Sequence, residues 1–316
     1  MRKSAASRCF LVAALFLCVS TLHPQDISPQ YRIPVTVDEV RLDFSATDFS
    51  NHPMNDLTVS DLHLLDNEKP PKKVLRFTHQ IDLPLRIGVL VDTSRSMLGG
   101  ALVRNQKIAT MLSEHILRSA TDQAFIAEFD FSLQVLQSWT STTEYLIPAI
   151  HKVGWDAKSR YGGTAIYDSI YRAVRDQFIR QPALTADPAN SILLFSDGDD
   201  NWSHAEMKDV VEICQRAHTT IYVFSDQPNA RFDAGEKNLR ELAASTGGQV
   251  FYAADQSTAL EDLKTIETAL RNHYSLVYTP SSIKSDGKFH SIKLTIRKGG
   301  LITVRSGYYA PEKASQ

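Results

Sequence analysis

Apolar positions recur along the chain with two different periods, and the change of period divides it into three parts. Between residues 83 and 272, short runs that are apolar throughout alternate with longer stretches in which every third or fourth residue is apolar. An unbroken apolar run is typical of a strand buried on both faces, and the longer period is typical of an amphipathic helix. This alternation predicts an α/β domain with a doubly wound, mostly parallel sheet and helices on both faces.

The central part contains six predicted strands and a series of predicted amphipathic helices. The strands are Ile87–Val91, Phe125–Phe129, Leu133–Leu136, Ile192–Phe195, Ile221–Phe224 and Val250–Tyr252. The apolar helix faces are Ile108, Met111, Leu112 and Ile116; Ile166, Ile170, Val174 and Phe178; Met207, Val210, Val211 and Cys214; Leu239, Leu242 and Ala243; and Leu260, Leu263 and Leu270. Because the link from Phe129 to Leu133 is short, these two strands are predicted to form an antiparallel hairpin at one edge of the sheet.

Two β-rich segments, residues 26–82 and 273–316, flank the central domain. Gly299-Gly300 predicts a hairpin between Ile292–Ile296 and Ile302–Val304. Neither segment is large enough to bury a core comfortably, so we infer that the two pack together as one β module, with the α/β domain inserted between them. The alternating apolar residues are Val40, Leu42 and Phe44 in the first segment and Tyr274, Leu276 and Tyr278 in the second.

Residues 1–25 have the pattern of a secretory signal. Arg2, Lys3 and Arg8 precede or border an apolar run at positions 10–19 that is too short for a typical membrane span. The expected mature protein is exported, periplasmic or secreted, and has no transmembrane span; the alternative is an uncleaved signal that anchors it. Two of the three cysteines leave with the signal, so no internal disulfide is expected, and Cys214 is predicted to be a buried core residue.

The charge of the mature chain argues against a nucleic-acid partner. Without the three basic residues of the signal, 31 of the 34 lysines and arginines remain against 36 aspartates and glutamates, which is a net charge of −5. Nucleic-acid-binding surfaces are strongly basic. This balance therefore predicts a protein that does not bind nucleic acid.

Side chains with oxygen donors follow two of the predicted strands. Asp92, Ser94 and Ser96 come directly after the first strand, Asp197 follows the fourth, and Thr164 stands in a glycine-rich loop just before a predicted helix. Ligands bind at the carboxyl ends of the strands in open α/β sheets, and hard oxygen donors suit a cation such as Mg²⁺. The pattern predicts a metal site; the simpler interpretation is that these residues cap helices.

In this order and at strand-end loops, the five residues resemble the metal-ion-dependent adhesion site of the von Willebrand factor type A family. The resemblance covers residues 83–272 and implies that Ser94, Ser96 and Thr164 supply hydroxyl ligands to Mg²⁺, with Mn²⁺ or Ca²⁺ as alternatives. It also implies that Asp92 and Asp197 hold the ion directly or through water. In this family a carboxylate from a partner fills the open position of the ion. The implied partner is a protein or surface polymer that carries a carboxylate.

Other features leave alternatives open. Asp199 and Asp200 could be further ligands or part of a Ca²⁺ loop, although an exposed acidic turn is the favoured interpretation. Trp155, Tyr161 and Trp202 fall near the site loops, where they either form an aromatic rim for a partner or pack those loops. The segments Leu65–Pro70 and Ser196–Asn201 and the tyrosine-rich tail resemble an exported bacterial subfamily of these proteins.

The predicted function is that of an exported, non-catalytic interaction or adhesion module. The sequence has neither a Gly-x-Ser-x-Gly nor a His-Glu-x-x-His motif, and its ten histidines are scattered, so no general base is identifiable. The alternative is a metal-dependent extracytoplasmic hydrolase that uses the same acidic site.

Overall fold

A computed structural model describes most of the chain between residues 39 and 310. The predicted signal, Trp155, Tyr161, Leu260 and Leu263 lie outside the residues that the structure describes. The described residues are 39–50, 52–118, 120–154, 163–183, 187–225, 233–252, 265–282 and 286–310.

Three strands, a central region of alternating strands and helices, and four further strands follow one another in the described residues. The strands are β1 (Val40–Thr47), β2 (Leu62–Asp66), β3 (Lys73–Gln80), β4 (Leu85–Asp92), β5 (Gln123–Phe129), β6 (Leu133–Thr140), β7 (Ala189–Phe195), β8 (Thr219–Ser225), β9 (Val250–Tyr252), β10 (His273–Thr279), β11 (Phe289–Ile296), β12 (Leu301–Val304) and β13 (Gly307–Tyr309). The helices are α1 (Gly100–His115), α2 (Thr143–Lys152), α3 (Ile166–Ala173), which continues as a π-helix over Val174–Ile179, α4 (Met207–Arg216), α5 (Ala234–Thr246) and α6, which includes residues 265–271.

The central sheet has the strand order β6-β5-β4-β7-β8-β9 within the described residues. All neighbouring pairs are parallel except β5 and β6, which form the predicted antiparallel edge. From β4 the chain first builds the sheet towards β6 and then returns to add β7 on the other side of β4. The topological switch point therefore lies between β4 and β7, which is where open α/β sheets bind ligands.

Helices cover both faces of this sheet, which confirms the predicted α/β architecture. Apolar side chains of α1, α2 and α6 pack on one face, and those of α3, α4 and α5 pack on the other. Strand β4 is buried along its whole length, as its unbroken apolar run predicts. Cys214 lies in the second of these cores, where burial raises the pKa of its thiol.

The two flanking β segments pair with each other to form a sandwich. One sheet has the order β12-β1-β10-β3, and the other has the order β13-β11-β2 in the part of the chain that is described. Strand β1 pairs with β10, and β2 pairs with β11, so each sheet combines strands from both ends of the chain. Alternate residues of β1 and β11 are buried between the sheets, as expected for a sandwich.

The predicted hairpin between Ile292–Ile296 and Ile302–Val304 is wrong. Strand β11 pairs with β2 and β13, whereas β12 pairs with β1 in the opposite sheet. Gly299 and Gly300, which both have positive φ, carry the chain across the sandwich instead of closing a two-stranded ladder. A Cβ atom on Gly300 would lie 2.8 Å from the carbonyl oxygen of Thr47, so glycine is required at this crossing.

A buried polar network fixes the last strand of the sandwich. Asp66, at the end of β2, accepts hydrogen bonds from the hydroxyls of Tyr278 at 2.9 Å and Tyr308 at 3.0 Å. The Tyr308 hydroxyl also lies 3.3 Å from Nδ1 of the buried His290. Burial and the neighbouring Asp66 raise the pKa of both tyrosine hydroxyls. The two tyrosines therefore act as neutral donors to the carboxylate.

A buried ion pair links α6 to the end of the central sheet where the parallel strands begin. Asp122 precedes β5 and accepts from the Leu85 amide at 2.9 Å and from Arg271 Nη2 at 2.7 Å. Both charged side chains are almost fully buried.

In the described part of the chain, no helix is long and apolar enough to span a membrane.

Candidate functional site

The five predicted metal ligands lie in loops at the carboxyl end of the central sheet. Asp92 is the last residue of β4, and Asp197 stands two residues after the end of β7. These two strands are adjacent in the sheet and flank its topological switch point. Thr164 lies two residues before the start of α3. The fold thus collects residues that are more than 100 positions apart in the sequence.

Asp92 is at the centre of the site. Its side chain is completely buried, with Oδ1 2.8 Å from the Ser94 amide and Oδ2 2.7 Å from the Ser196 hydroxyl. The Ser94 hydroxyl lies 3.2 Å from the Ser96 hydroxyl. Asp92, Ser94 and Ser96 are therefore joined in one hydrogen-bonded group, with Ser94 buried and Ser96 exposed.

The charge environment of Asp92 is repulsive. The pKa of its carboxyl is raised to about 7. Burial is the largest cause, and the nearby Asp197 carboxylate also raises the pKa, whereas the hydrogen bonds from Ser196 and Ser94 lower it. Among the described residues, no basic side chain forms an ion pair or hydrogen bond with Asp92. A buried carboxylate without a positive partner is costly, which is the condition that a bound cation relieves.

Asp197 and Ser196 present oxygen atoms from the β7 side. Asp197 is buried, and its Oδ1 accepts a weak hydrogen bond of 3.3 Å from the Asp199 amide. Ser196 donates to Asp92 and accepts from the Gly198 amide at 3.1 Å. From the sequence, Ser196 belongs to the segment Ser196–Asn201 and has no predicted role in the site. Its contact with Asp92 joins the two loops across the switch point.

Thr164 is positioned by the loop that follows Asp197. Its amide donates to Oδ1 of Asn201 at 2.9 Å, and its carbonyl oxygen accepts from the amides of Asn201 and Trp202 at 3.1 Å. The Thr164 side chain is buried, and its hydroxyl has no hydrogen-bond partner among the described residues. That hydroxyl is therefore free to contribute an oxygen to the site.

The loop at residues 200–205 is also bonded to the first turn of α3. Asp200 Oδ2 accepts from the Tyr167 amide at 2.9 Å, and the Ser203 hydroxyl accepts from the Asp168 amide at 3.1 Å. In return, Asp168 accepts from the Ala205 amide at 2.8 Å. These contacts satisfy helix amides that have no partner within α3. The loops that carry Thr164 and Asp197 are thereby held together.

The prediction that Asp199 and Asp200 form an exposed acidic turn is correct for Asp199 and wrong for Asp200. Asp199 is exposed, and partial burial together with the nearby Asp197 and Asp233 carboxylates raises its pKa. Asp200 is half-buried because it caps α3. The acidic sequence is visible from the chain alone, but the helix that Asp200 caps begins more than 30 residues earlier.

The available donors fit a hard divalent cation. The described residues contain no group of three or more His, Cys, Asp or Glu side chains that could hold a metal. A cation at the switch point would therefore be held by the Asp92 and Asp197 carboxylates and by the hydroxyls of Ser94, Ser96 and Thr164. All of these are oxygen donors, which suit Mg²⁺, Mn²⁺ or Ca²⁺ better than softer metals.

Two aromatic side chains stand beside this group of donors. Trp202 is 57% exposed and packs edge-on against Phe131, with ring centroids 5.1 Å apart. Gly163 makes room for Phe131, since a Cβ atom at this position would lie 2.1 Å from the ring. Trp202 thus both packs a loop and remains open to solvent, whereas Trp155 and Tyr161 lie outside the described residues.

Comparison with known proteins supports the fold assignment. Residues 87–199 match the family model described as von Willebrand factor type A domain, and no curated protein matches the chain by sequence. Asp92, Ser94, Ser96, Thr164 and Asp197 all fall within the matched residues.

Solved structures with a similar fold include a conserved hypothetical protein, BatB, from Bacteroides thetaiotaomicron. It is 16% identical, with a TM-score of 0.47, over 58% of this chain and 98% of BatB. Proximal thread matrix protein 1 from the mussel byssus, in a structure described as having a zinc-occupied MIDAS motif, is 16% identical with a TM-score of 0.47. That alignment spans 60% of this chain and 48% of the mussel protein. At these identities and TM-scores, the structural likenesses carry no functional argument.

Proposed function

Since residues 87–199 match the model of the von Willebrand factor type A domain, we propose that this protein is an exported, non-catalytic binding protein. It holds one divalent cation, Mg²⁺ in our proposal, at the carboxyl end of the central sheet. Through this cation it captures a carboxylate on a partner protein or on a surface polymer. The proposed metal ligands are Asp92, Ser94, Ser96, Thr164 and Asp197.

The observation that carries the proposal is the state of Asp92. Its carboxylate is completely buried, and its neighbours are hydroxyl and amide donors and the like-charged Asp197. The loops after β4 and β7 also lie close to the N-termini of α1 and α3, whose dipoles disfavour a cation. Two carboxylates offset that field. A cation bound between the two buried acids would explain why they have no basic partner in the described residues.

Partner recognition follows from the balance of charged and neutral ligands. The two carboxylates are outnumbered by the neutral hydroxyls of Ser94, Ser96 and Thr164. When bound, a cation with such ligands supplies an electron-poor site for an anionic oxygen of the partner. The protein's own part is to hold the hydroxyls in place through the Asp92, Asn201 and Ser196 contacts and to leave the Ser96 side exposed.

The absence of catalysis is part of the proposal. A hydrolase that used Ser94 or Ser96 as a nucleophile would need a general base within hydrogen-bond reach. In the described residues, the Ser94 hydroxyl contacts the Ser96 hydroxyl and no histidine or lysine. A screen of ester, phosphate and peptide substrates with Mg²⁺ or Mn²⁺ should show no turnover. Metal-dependent turnover that is lost in Asp197→Ala would favour the hydrolase alternative instead.

Export is supported by the basic start and apolar run of residues 1–25. Expression of the full chain in a bacterial host, followed by fractionation, should place the protein outside the cytoplasm. N-terminal sequencing of that fraction should show a chain that begins after the apolar run. Retention of the complete N-terminus in the membrane fraction would favour the uncleaved anchor.

Calorimetric titration of the metal-free protein tests the site itself. We expect one divalent site, loss of binding in Asp92→Ala, and weaker but measurable binding in Ser94→Ala, because the latter removes a neutral ligand. Asp199→Asn is the matched control, since Asp199 is an exposed carboxylate in the same loop. Unchanged Mg²⁺ affinity in Asp92→Ala would contradict the assignment. Loss of binding in Asp199→Asn would show that Asp199 belongs to the ligand set.

A further inference from the structure

The surface around the proposed metal site contains an aromatic pair, the exposed Trp202 and the half-buried Phe131, beside Thr164. Trp202 is 57% exposed, although tryptophan side chains in folded proteins are on average largely buried. Its backbone is fixed, because its amide donates to the Thr164 carbonyl oxygen at 3.1 Å. Its ring is supported edge-on by Phe131, which is itself only half-buried. The apolar surface is therefore held rigidly next to a proposed metal ligand.

A positively charged side chain lies in the loop that carries two of the donors. Arg95 stands between Ser94 and Ser96 and is exposed. Within the described part of the chain it makes no hydrogen bond or ion pair. Leu98, two residues after Ser96, is 40% exposed and adds apolar surface on the same loop. The surface around the site thus offers aromatic, aliphatic and cationic side chains that are close in the sequence to the proposed metal ligands.

From this arrangement we infer that the partner is a peptide segment in which a carboxylate is flanked, within two residues, by a bulky apolar side chain that packs on Trp202. The inference rests on the proposed function, because the carboxylate is the group that the metal site captures. Arg95 complements the acidic character of such a segment and speeds its association.

Rigidity makes Trp202 a suitable anchor. Aromatic side chains dominate binding at protein interfaces when they are near the centre of the contact, and a side chain that is already ordered loses little entropy on binding. The hydrogen bonds of Asn201 and Trp202 to Thr164 fix the backbone that carries the ring, and the edge-on contact with Phe131 restricts the ring itself. A partner with a carboxylate but no adjacent apolar group would leave the Trp202 face exposed to water.

A display library of random heptapeptides tests this inference with the full chain immobilised in Mg²⁺ and bound peptides eluted with EDTA. Peptides from the wild type should carry an Asp or Glu with an aromatic or large aliphatic residue within two positions. Trp202→Ala should still select acidic peptides but lose the apolar preference, and Trp202→Phe should restore part of it. Phe49→Ala is the control, since Phe49 is a 78% exposed aromatic in the β module.

A selected heptapeptide is then synthesised in three forms: as selected, with its acid replaced by the amide, and with its apolar residue replaced by alanine. We expect Trp202→Ala to bind the selected form about tenfold more weakly while its Mg²⁺ affinity is unchanged. Arg95→Gln should slow association at low salt, with a smaller effect at high salt.

The outcomes separate the two proposals. If EDTA releases no peptides, or releases peptides without a carboxylate, the proposed function fails and this inference fails with it. If acidic peptides are recovered but show no apolar preference, or bind Trp202→Ala and wild type equally, only the inference about the partner is overturned.

Discussion

Two buried aspartates in the same domain should respond in opposite ways to the same substitution. Asp92 and Asp122 both have fully buried side chains. Asp122 pairs with the Arg271 guanidinium at 2.7 Å, whereas Asp92 has no basic partner among the described residues and lies near Asp197. We predict that Asp92→Asn stabilises the metal-free protein and that Asp122→Asn destabilises it.

The size of the effect at Asp92 follows from its environment. Burial and Asp197 raise the pKa of this carboxyl from 3.8 to about 7. One pKa unit corresponds to about 1.4 kcal/mol, so keeping Asp92 ionised at pH 8 costs about 4 kcal/mol. The neutral amide removes that cost but weakens one hydrogen bond, which takes back about 1 kcal/mol. We expect a gain of about 2–3 kcal/mol in the free energy of unfolding.

At Asp122 the same substitution removes one member of a buried ion pair. It leaves Arg271, whose side chain is 4% exposed, without its closest carboxylate. Breaking a buried pair in this way typically costs about 3–5 kcal/mol. The two variants therefore differ in sign although both lose one negative charge.

Urea denaturation at pH 8, with and without Mg²⁺, measures these effects in both variants and in the wild type. Mg²⁺ at about 100 times its dissociation constant should stabilise the wild type by about 2.7 kcal/mol and leave Asp92→Asn unchanged. Asp122→Asn should keep the full Mg²⁺ effect, because Asp122 lies at the opposite end of the sheet from the site. If Asp92→Asn is less stable than the wild type without metal, Asp92 is already compensated and the argument for a cation is wrong.

Three further predictions concern the β module and the buried ion pair. Tyr308→Phe removes a donor to the buried Asp66 and should lower the free energy of unfolding by about 1.5–3 kcal/mol, measured by urea denaturation; no loss would mean that water replaces the hydroxyl. Deleting residues after Asn272 removes both strands that pair with β1 and should make residues 39–82 protease-sensitive while the α/β domain stays folded; unchanged resistance of residues 39–82 would show that they fold independently. Burial opposes ionisation of Asp122, but the hydrogen bonds from Arg271 and from backbone amides outweigh burial and lower the pKa of Asp122. The stabilising effect of the ionised carboxylate is therefore present above the unfolded pKa near 3.8 and is lost as the pH falls through the lower folded pKa. In an acid titration, the free energy of unfolding should fall more steeply for the wild type than for Asp122→Asn, and equal slopes would contradict this.

Part of the candidate site could be predicted because its signal is local. Asp92, Ser94 and Ser96 are adjacent in the sequence and follow an apolar run whose burial is evident from composition alone. The loop that contains Asp197 likewise follows an apolar run, Ile192–Phe195. By contrast, the contacts of Ser196 with Asp92 and of Asn201 with Thr164 join loops that are far apart in sequence. Nothing in the local pattern distinguishes these residues from ordinary loop residues.

The sequence alone determined the elements whose apolar period is long and regular, including the buried strand β4 and the helices on both faces of the sheet. It also determined which oxygen donors stand at strand ends, because those residues are fixed by their position after an apolar run. Tertiary structure decided which strands pair. Strands β11 and β12 are close in sequence and separated by glycines, yet they pair with β2 and β1 in different sheets. Both have an apolar face that contributes to the same sandwich core, and placing the two strands in opposite sheets encloses that core from both sides. For the same reason, only the folded chain shows that Asp200 caps α3 and that Asp66 binds two tyrosines, since these partners are set by topology and not by sequence spacing.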